Sequence, residues 1–437
     1  MDIGELEKNV LNVAKVDEFG TLRHKITMTG IPKSTLVRGA IPLLLLLTSY
    51  LNYILAYLFL PTSAAIFVIL MLVLFNLYFV HRPVASVGLT SAFPLTLSQK
   101  RVFDSLQPFV KYSPPWWCID GHWSTLLPLL LYKLPRSSNI LVQEFLGCDG
   151  TRLTLEWGLP MISLGSVKGV IIAIPGLNGS SNGGYMVDLM MRMNRRGYAV
   201  VILSGRGAGH SQIESMESSF HLARSDDLLC ALEAVETVLT GNTKVYMLGY
   251  SAGGVRALTF ASVYGSLLKN RIAGILSFGG SVCNKQTHVF KSSAIAYQPV
   301  IMHAYLSTLQ GKFISGGHNV KDLFVNNPIS TFQEYDLYIG SQIHNLSVSE
   351  YHAKTFCKND IHNIAVPTLI VNAIDDPVLH VDDAIVQTMA LENSHITLFA
   401  TAKGGHIGWP TGWDPKKHGY SWIANVALAY MDALMGQ

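Results

Sequence analysis

Charge is scarce in this sequence. Asp, Glu, Lys and Arg make up 14% of its 437 residues, against about 25% in an ordinary soluble chain. The charges present nearly cancel, 32 basic against 29 acidic for a net +3, so no nucleic-acid partner is implied. Cysteine is sparse and scattered, at Cys118, Cys148, Cys230, Cys283 and Cys357, with no C-x-x-C pair. That argues against a disulfide framework and against a zinc site. The fifteen histidines contain no H-E-x-x-H or H-x-H cluster, so no metal is expected. The glycine-rich stretch Gly176–Gly184 lacks the Gly-Lys-Ser/Thr ending of a phosphate-binding loop. A second one, SGRGAGHS at Ser204–Ser211, has Asp226 some distance on, which suggests a dinucleotide site. There, however, His210 holds the last glycine position of G-x-G-x-x-G. No organic cofactor is therefore expected.

The scarcity is concentrated. From Gly39 to Val80 there is no Asp, Glu, Lys or Arg. A membrane span takes roughly 20 apolar residues, so this run is too long for one upright helix and about right for two. Pro61-Thr62-Ser63 divides it into Ile41–Leu60 and Ala64–Val80. A transmembrane helical hairpin at 39–81 is the first expectation, and one span with an interfacial flank is the alternative. Arg23, Lys25, Lys33 and Arg38 precede the run, and Arg82, Lys100 and Arg101 follow it. Basic residues on both sides favour two cytoplasmic ends. The preceding 1–38 is polar and mixed and is expected to be loosely ordered. Residues 82–138 read as a linker with an aromatic and Pro-rich contact region, either a membrane-surface contact, an approach to a pocket, or a packed linker.

From residue 139 to the C-terminus the pattern is that of one catalytic domain. Ile140–Phe145 and Arg152–Trp157 alternate like strands around a Cys148-Asp149-Gly150 turn, an antiparallel hairpin. Strand and helix patterns then alternate. Strands are expected at Lys168–Ile174, Tyr198–Leu203, Lys244–Leu248, Ile272–Phe278, Thr368–Asn372 and Ile396–Ala400. Helices are expected at Met186–Arg195, Asp226–Leu239 and Ala257–Leu268. Such alternation gives an α/β fold, a mostly parallel sheet with helices on both faces. Over about 282–364 the alternation lapses, which predicts a mostly helical cap over the carboxyl ends of the strands. Its aromatics, Phe290, Tyr297, Tyr305, Phe332, Tyr335, Tyr338 and Tyr351, are candidates for an acyl pocket or for ordinary core.

The chemistry centres on Gly249-Tyr250-Ser251-Ala252-Gly253, a G-x-S-x-G between a strand and a helix. Small residues two places either side let strand and helix approach, so the hydroxyl stands clear of the sheet edge. A nucleophilic serine needs a base and a carboxylate to orient that base. Past two later strand ends the sequence supplies Asp375-Asp376-Pro377 and Gly404-Gly405-His406, in the order serine, acid, histidine. Ser251 is expected as nucleophile, His406 as base and Asp376 as acid, with Asp375 the alternative acid or a loop-fixing residue. His380, His395, Asp382 and Asp383 rank lower. The oxyanion hole is expected from the N–H groups of Ala252, which follows the nucleophile, and Leu177, in Pro175-Gly176-Leu177-Asn178-Gly179.

Several stretches together resemble the α/β-hydrolase-domain lipases, in the membrane-bound subgroup that is similar to bacterial YheT-like esterases. They are SPPWWCIDGHWSTL, PGLNGSS, SGRGAGHS, HLARSDDL, GYSAGG, STFQEYD, VSEYH, NAIDDP and GGHIGW, spread from about Tyr112 to Trp422. The resemblance implies an α/β-hydrolase fold and a serine esterase or lipase acting on acylglycerols, phospholipids or other fatty esters. It assigns Ser251, Asp376 and His406 as the triad. The implied partners are a lipid ester substrate and a bilayer, in an intracellular membrane such as the endoplasmic reticulum. An acyltransferase on the same triad, and a non-catalytic membrane receptor or scaffold that keeps the fold, are the alternatives. Relatives usually carry one N-terminal anchor, where this chain has room for two.

Overall fold

The computed structural model describes residues 1–16 and 88–435, apart from 93, 116–117, 119, 133–139, 162–164, 212, 214–217, 289–290, 316–328, 344, 381–389 and 413. The membrane segment expected at 39–81 lies outside the described residues. Among those described, no helix is long and apolar enough to cross a membrane.

Among the described residues, ten strands make one sheet. They are β1 (Ala14–Val16), β2 (Gly88–Ser91), β3 (Leu141–Leu146), β4 (Arg152–Gly158), β5 (Gly169–Ile174), β6 (Tyr198–Leu203), β7 (Val245–Tyr250), β8 (Gly274–Phe278), β9 (Thr368–Ala373) and β10 (Ile396–Thr401), in the spatial order β1-β3-β4-β6-β5-β7-β8-β9-β10-β2. The six strands from β6 across to β10 are parallel. β3 and β4 pair antiparallel, with Leu141 opposite Trp157, as the alternation and turn predict. Every residue of β5, β6, β7, β9 and β10 is buried, because helices cover both faces. Alternate side chains of β5 feed two cores. Val170, Ile172 and Ile174 enter one with α5 (Asp226–Glu236) and α6 (Ala252–Tyr264). Ile171 and Ala173 enter the other with α2 (Leu97–Val110), α4 (Gly184–Arg195) and the C-terminal α9 (Ser421–Met435). The strand order reverses at β5, whose neighbours are β6 and β7. In open α/β sheets the crevice at such a reversal, outside the carboxyl strand ends, is where ligands bind.

Two expectations are corrected. Residues 1–16 are not loose. Asp2 caps α1 (Ile3–Val13) by accepting from the N–H groups of Gly4 and Glu5, and Ile3, Leu6 and Val10 are fully buried in the sheet core. Their spacing is one helical face, and β1 then pairs with β3 at the sheet edge. Residues 88–132 are not a linker outside the domain either. β2 pairs with β10 and forms the opposite edge. α2 packs Val102 and Leu106 into the core, and α3 (Gly121–Leu131) lies against the loops after β9 and β10. Between β8 and β9 the described residues are mostly helical, including α7 (Gln298–Ser315) and α8 (Val348–Thr355). Met302, Tyr305, Tyr335 and Ile339 of this stretch form a small core with Phe220.

Candidate active site

The site begins with the turn between β7 and α6. Ser251 adopts φ 52° and ψ −117°, a conformation L-residues rarely take and one held only where the surroundings over-determine it. Its N–H donates to Phe278 O (2.8 Å), and its carbonyl accepts from Val255 N (3.0 Å). The flanking glycines are steric requirements. A Cβ on Gly249 would meet the Gly253 carbonyl, and one on Gly253 would meet the Ile174 carbonyl.

His406 comes from the loop after β10, where Gly404 and Gly405 both have positive φ. Its Nε2 lies 2.8 Å from Ser251 Oγ and its Nδ1 2.7 Å from Asp376 Oδ2. With Nδ1–H donating to Asp376, the Nε2 lone pair faces the serine hydroxyl. Asp376 has no exposed surface, and its other oxygen accepts from Val378 N (2.8 Å) and Leu379 N (2.9 Å). Asp375 does something else: its Oδ1 accepts from Gly405 N (2.8 Å), tying the β9 loop to the histidine loop. Of the lower-ranked residues, Asp382 and Asp383 lie outside the described residues. His380 donates its backbone N–H to Gln286 O, and His395 sits beside Asn393 near the start of β10.

The loop after β5 closes a turn, with Gly179 N donating to Gly176 O (2.9 Å) and Asn178 at φ 58°. Leu177 is an inner residue of that turn, so closing it does not use the Leu177 N–H. Ala252 opens α6, where N–H groups have no intrahelical partner. Leu177, Ala252, Ser251 and His406 all line one apolar cavity of about 90 Å³. Its far wall comes from the helical stretch and the Phe220 segment, including Met302, Tyr305, Phe332 and Tyr335. Tyr305 and Tyr335 both donate to Phe220 O (2.7 and 3.0 Å). Of the other aromatics considered for the pocket, Tyr351 is fully buried, Tyr297 bonds His122 (2.6 Å) and Phe290 lies outside the described residues.

Sequence reasoning missed the supports. Thr125 Oγ1 of α3 accepts from His406 N (2.8 Å), and Tyr185 Oη accepts from Gly176 N (3.0 Å). Glu156 of β4 is wholly buried and accepts from Ser181 in the β5 loop and from Ser204 after β6 (3.0 Å), with His210 Nδ1 at 3.3 Å. Burial pushes the Glu156 pKa up. The His210 and Ser181 hydrogen bonds and the charge of His210 more than offset this, and hold it below the usual carboxylate value. Glu156 falls in a strand with no motif around it, so only its polarity on a buried face could have drawn attention.

An elbow serine, a histidine and a buried aspartate at the carboxyl ends of a mostly parallel sheet define the α/β-hydrolase class. The chain belongs to the family described as serine aminopeptidase, S33, whose model matches residues 165–407, and it is an ABHD-type α/β-hydrolase. It is 25% identical to phospholipase ABHD3 of Homo sapiens over 323 residues, 71% of this chain and 76% of that protein. It is 22% identical to monoacylglycerol lipase ABHD2 of Danio rerio over 342 residues, covering 74% and 78%. To the YheT protein of Escherichia coli (strain K12) it is 23% identical over 293 residues, covering 67% and 84%.

Proposed function

We propose that this chain is a membrane-anchored serine hydrolase that cleaves carboxylic esters of lipids through an acyl-enzyme on Ser251. The hydrogen-bonded line from Asp376 through His406 to Ser251 carries the reading. His406 takes the Ser251 proton as Oγ attacks the ester carbonyl. The N–H groups of Leu177 and Ala252 receive the oxyanion. His406 then passes the proton to the leaving alkoxide, and the ester C–O bond breaks. Water, deprotonated by His406, releases the fatty acid by the same route. The apolar cavity suits an acyl chain, and the similarity to a phospholipase and a monoacylglycerol lipase agrees with a lipid ester.

The sheet register supports membrane anchoring on the active-site side. Gly88 of β2 pairs with Ala400, at the carboxyl end of β10, and the charge-free run stops at Val80. Eight residues reach at most about 28 Å, so a bilayer at that run lies close to the end of the sheet that holds Ser251. Leu129, Leu130 and Leu131 at the end of α3 are 62%, 56% and 41% exposed, and α3 touches the His406 loop.

Fluorophosphonate labelling of the detergent-extracted chain tests the chemistry, with Ser251→Ala and His406→Ala alongside. Loss of label in both supports the mechanism. Label surviving Ser251→Ala would assign the wrong serine, and an unlabelled, folded wild type favours a non-catalytic scaffold. Products formed from a lipid ester with and without an added alcohol separate hydrolysis from acyl transfer.

A further inference from the structure

We infer that Cys148 and Cys230 form a redox modification site, a dithiol that a low-molecular-weight disulfide of the glutathione class converts to an intramolecular disulfide. The two residues are 82 positions apart, yet their sulfurs lie 2.8 Å from one another. That is within a thiol hydrogen bond and less than an ångström beyond the roughly 2.0 Å of a disulfide bond. Cys148 is exposed and Cys230 half-buried, whereas Cys118, Cys283 and Cys357 are buried. Only this pair offers both a thiol that solvent can reach and a second one beside it.

An ionic clamp holds the two sulfurs in register. Cys148 sits in the β3–β4 turn, which Gly150 N closes by donating to Gly147 O (2.9 Å). Next to it, Asp149 takes both terminal nitrogens of Arg206 (2.6 and 3.0 Å) and one of Arg224 (2.9 Å). Partial burial opposes ionisation of Asp149, but the two guanidinium groups hold its carboxyl well below the usual carboxylate range. The same Arg206 grips Asp227 on α5 (2.9 and 2.6 Å), one helical turn before Cys230. One buried guanidinium thus fixes the neighbour of Cys148 against the turn that carries Cys230. Closing the bond asks for little movement of either element.

The chemistry balances with the named oxidant. Cys148, as thiolate, attacks one sulfur of glutathione disulfide. A mixed disulfide forms on Cys148 and one glutathione thiolate leaves. Cys230 then loses its proton to solvent and attacks Cys148 Sγ, which releases the second glutathione. Two protein thiols are oxidised and one glutathione disulfide is reduced to two thiols. Burial, with Cys148 beside it, pushes the Cys230 thiol up to about 12. Cys148, the exposed thiol, is the one a solvent-borne disulfide reaches first, so it is the attacking residue and the half-buried Cys230 the resolving one.

The full chain in detergent, reduced and then equilibrated with glutathione redox buffers, is acid-quenched, denatured, alkylated and mapped by mass. The expected result is a single Cys148–Cys230 cross-linked peptide, with the other three cysteines alkylated and the thermal midpoint raised by several degrees, since the link closes a long loop of the unfolded chain. Cys230→Ser is expected to stall as glutathionylated Cys148, and Cys148→Ser to leave Cys230 as a thiol. Five free thiols in the oxidised wild type would overturn the inference, as would a stable glutathione adduct on wild-type Cys148 or a bridge to another cysteine. The readout is thiol chemistry, so it stands or falls independently of the ester-hydrolase reading.

Discussion

Asp375 and Asp376 are adjacent in sequence and separate in role. Asp376 is fully buried, bonds Nδ1 of His406 and takes two backbone N–H groups on its other oxygen. Asp375 holds the Gly405 N–H. Asp376→Asn presents His406 with the wrong partner for its Nδ1–H, and kcat is expected to fall about 10⁴-fold. Asp375→Asn still has an oxygen for Gly405, and its kcat is expected to change by less than about tenfold. Steady-state hydrolysis of a short soluble ester compares the two, and equal losses would remove the distinction. The sequence narrowed the acid to this pair by position alone. It favoured Asp376 but left Asp375 as the alternative, because the choice rests on which carboxyl points at a ring presented by a loop thirty residues away. Thr125 was out of reach for the same reason, since its contact with His406 spans 281 positions.

Elements whose burial follows a local period were legible. β5, β6, β7 and α4 lie within a residue or two of where the apolar runs put them, and β7, elbow and α6 follow from G-x-S-x-G. α1 was misread because its eleven residues mix five apolar with five polar ones, and only three of the apolar ones, Ile3, Leu6 and Val10, make the buried stripe. That stripe is fully buried, so Leu6→Ala is expected to cost about 2–5 kcal/mol. Urea unfolding followed by far-UV circular dichroism measures this, and an unchanged midpoint would show that α1 does not belong to the folded core. β1 and β2 were missed for a different reason. Strands of three and four residues at sheet edges carry too few side chains to show a period of two.

At the scale of the molecule, the sheet gathers the site. β5, β7, β9 and β10 are parallel, so the loops bearing Leu177, Ser251, Asp376 and His406 emerge at one end. Glu156 ties the β4, β5 and β6 regions together there through Ser181, Ser204 and His210. Its folded pKa lies below that of an ordinary carboxylate. It therefore binds fewer protons folded than unfolded in that range. The stability it contributes is fully present above about pH 4.5 and is lost as pH falls through the lower folded value. Thermal midpoints are expected to drop below about pH 4.5 in the wild type. Glu156→Gln, which gives up hydrogen bonds to a charged acceptor worth about 1.5–3 kcal/mol, is expected to start lower at neutral pH and to fall less steeply on acidification. Parallel pH curves for the two proteins would exclude Glu156 as a source of acid sensitivity.

The sequence by itself determined the α/β pattern, the helical interruption before β9, the elbow serine, the histidine and a two-residue choice of acid. Each is written in a local signal, whether a period, a turn or a short spacing. Only the tertiary structure decided which aspartate meets His406, that α1 and α3 belong to the body of the domain, that Glu156 anchors the loop after β5, and that Cys148 lies against Cys230. These are contacts between segments tens to hundreds of residues apart. They are set by which strand ends the sheet order brings together, and no local pattern of side chains encodes that.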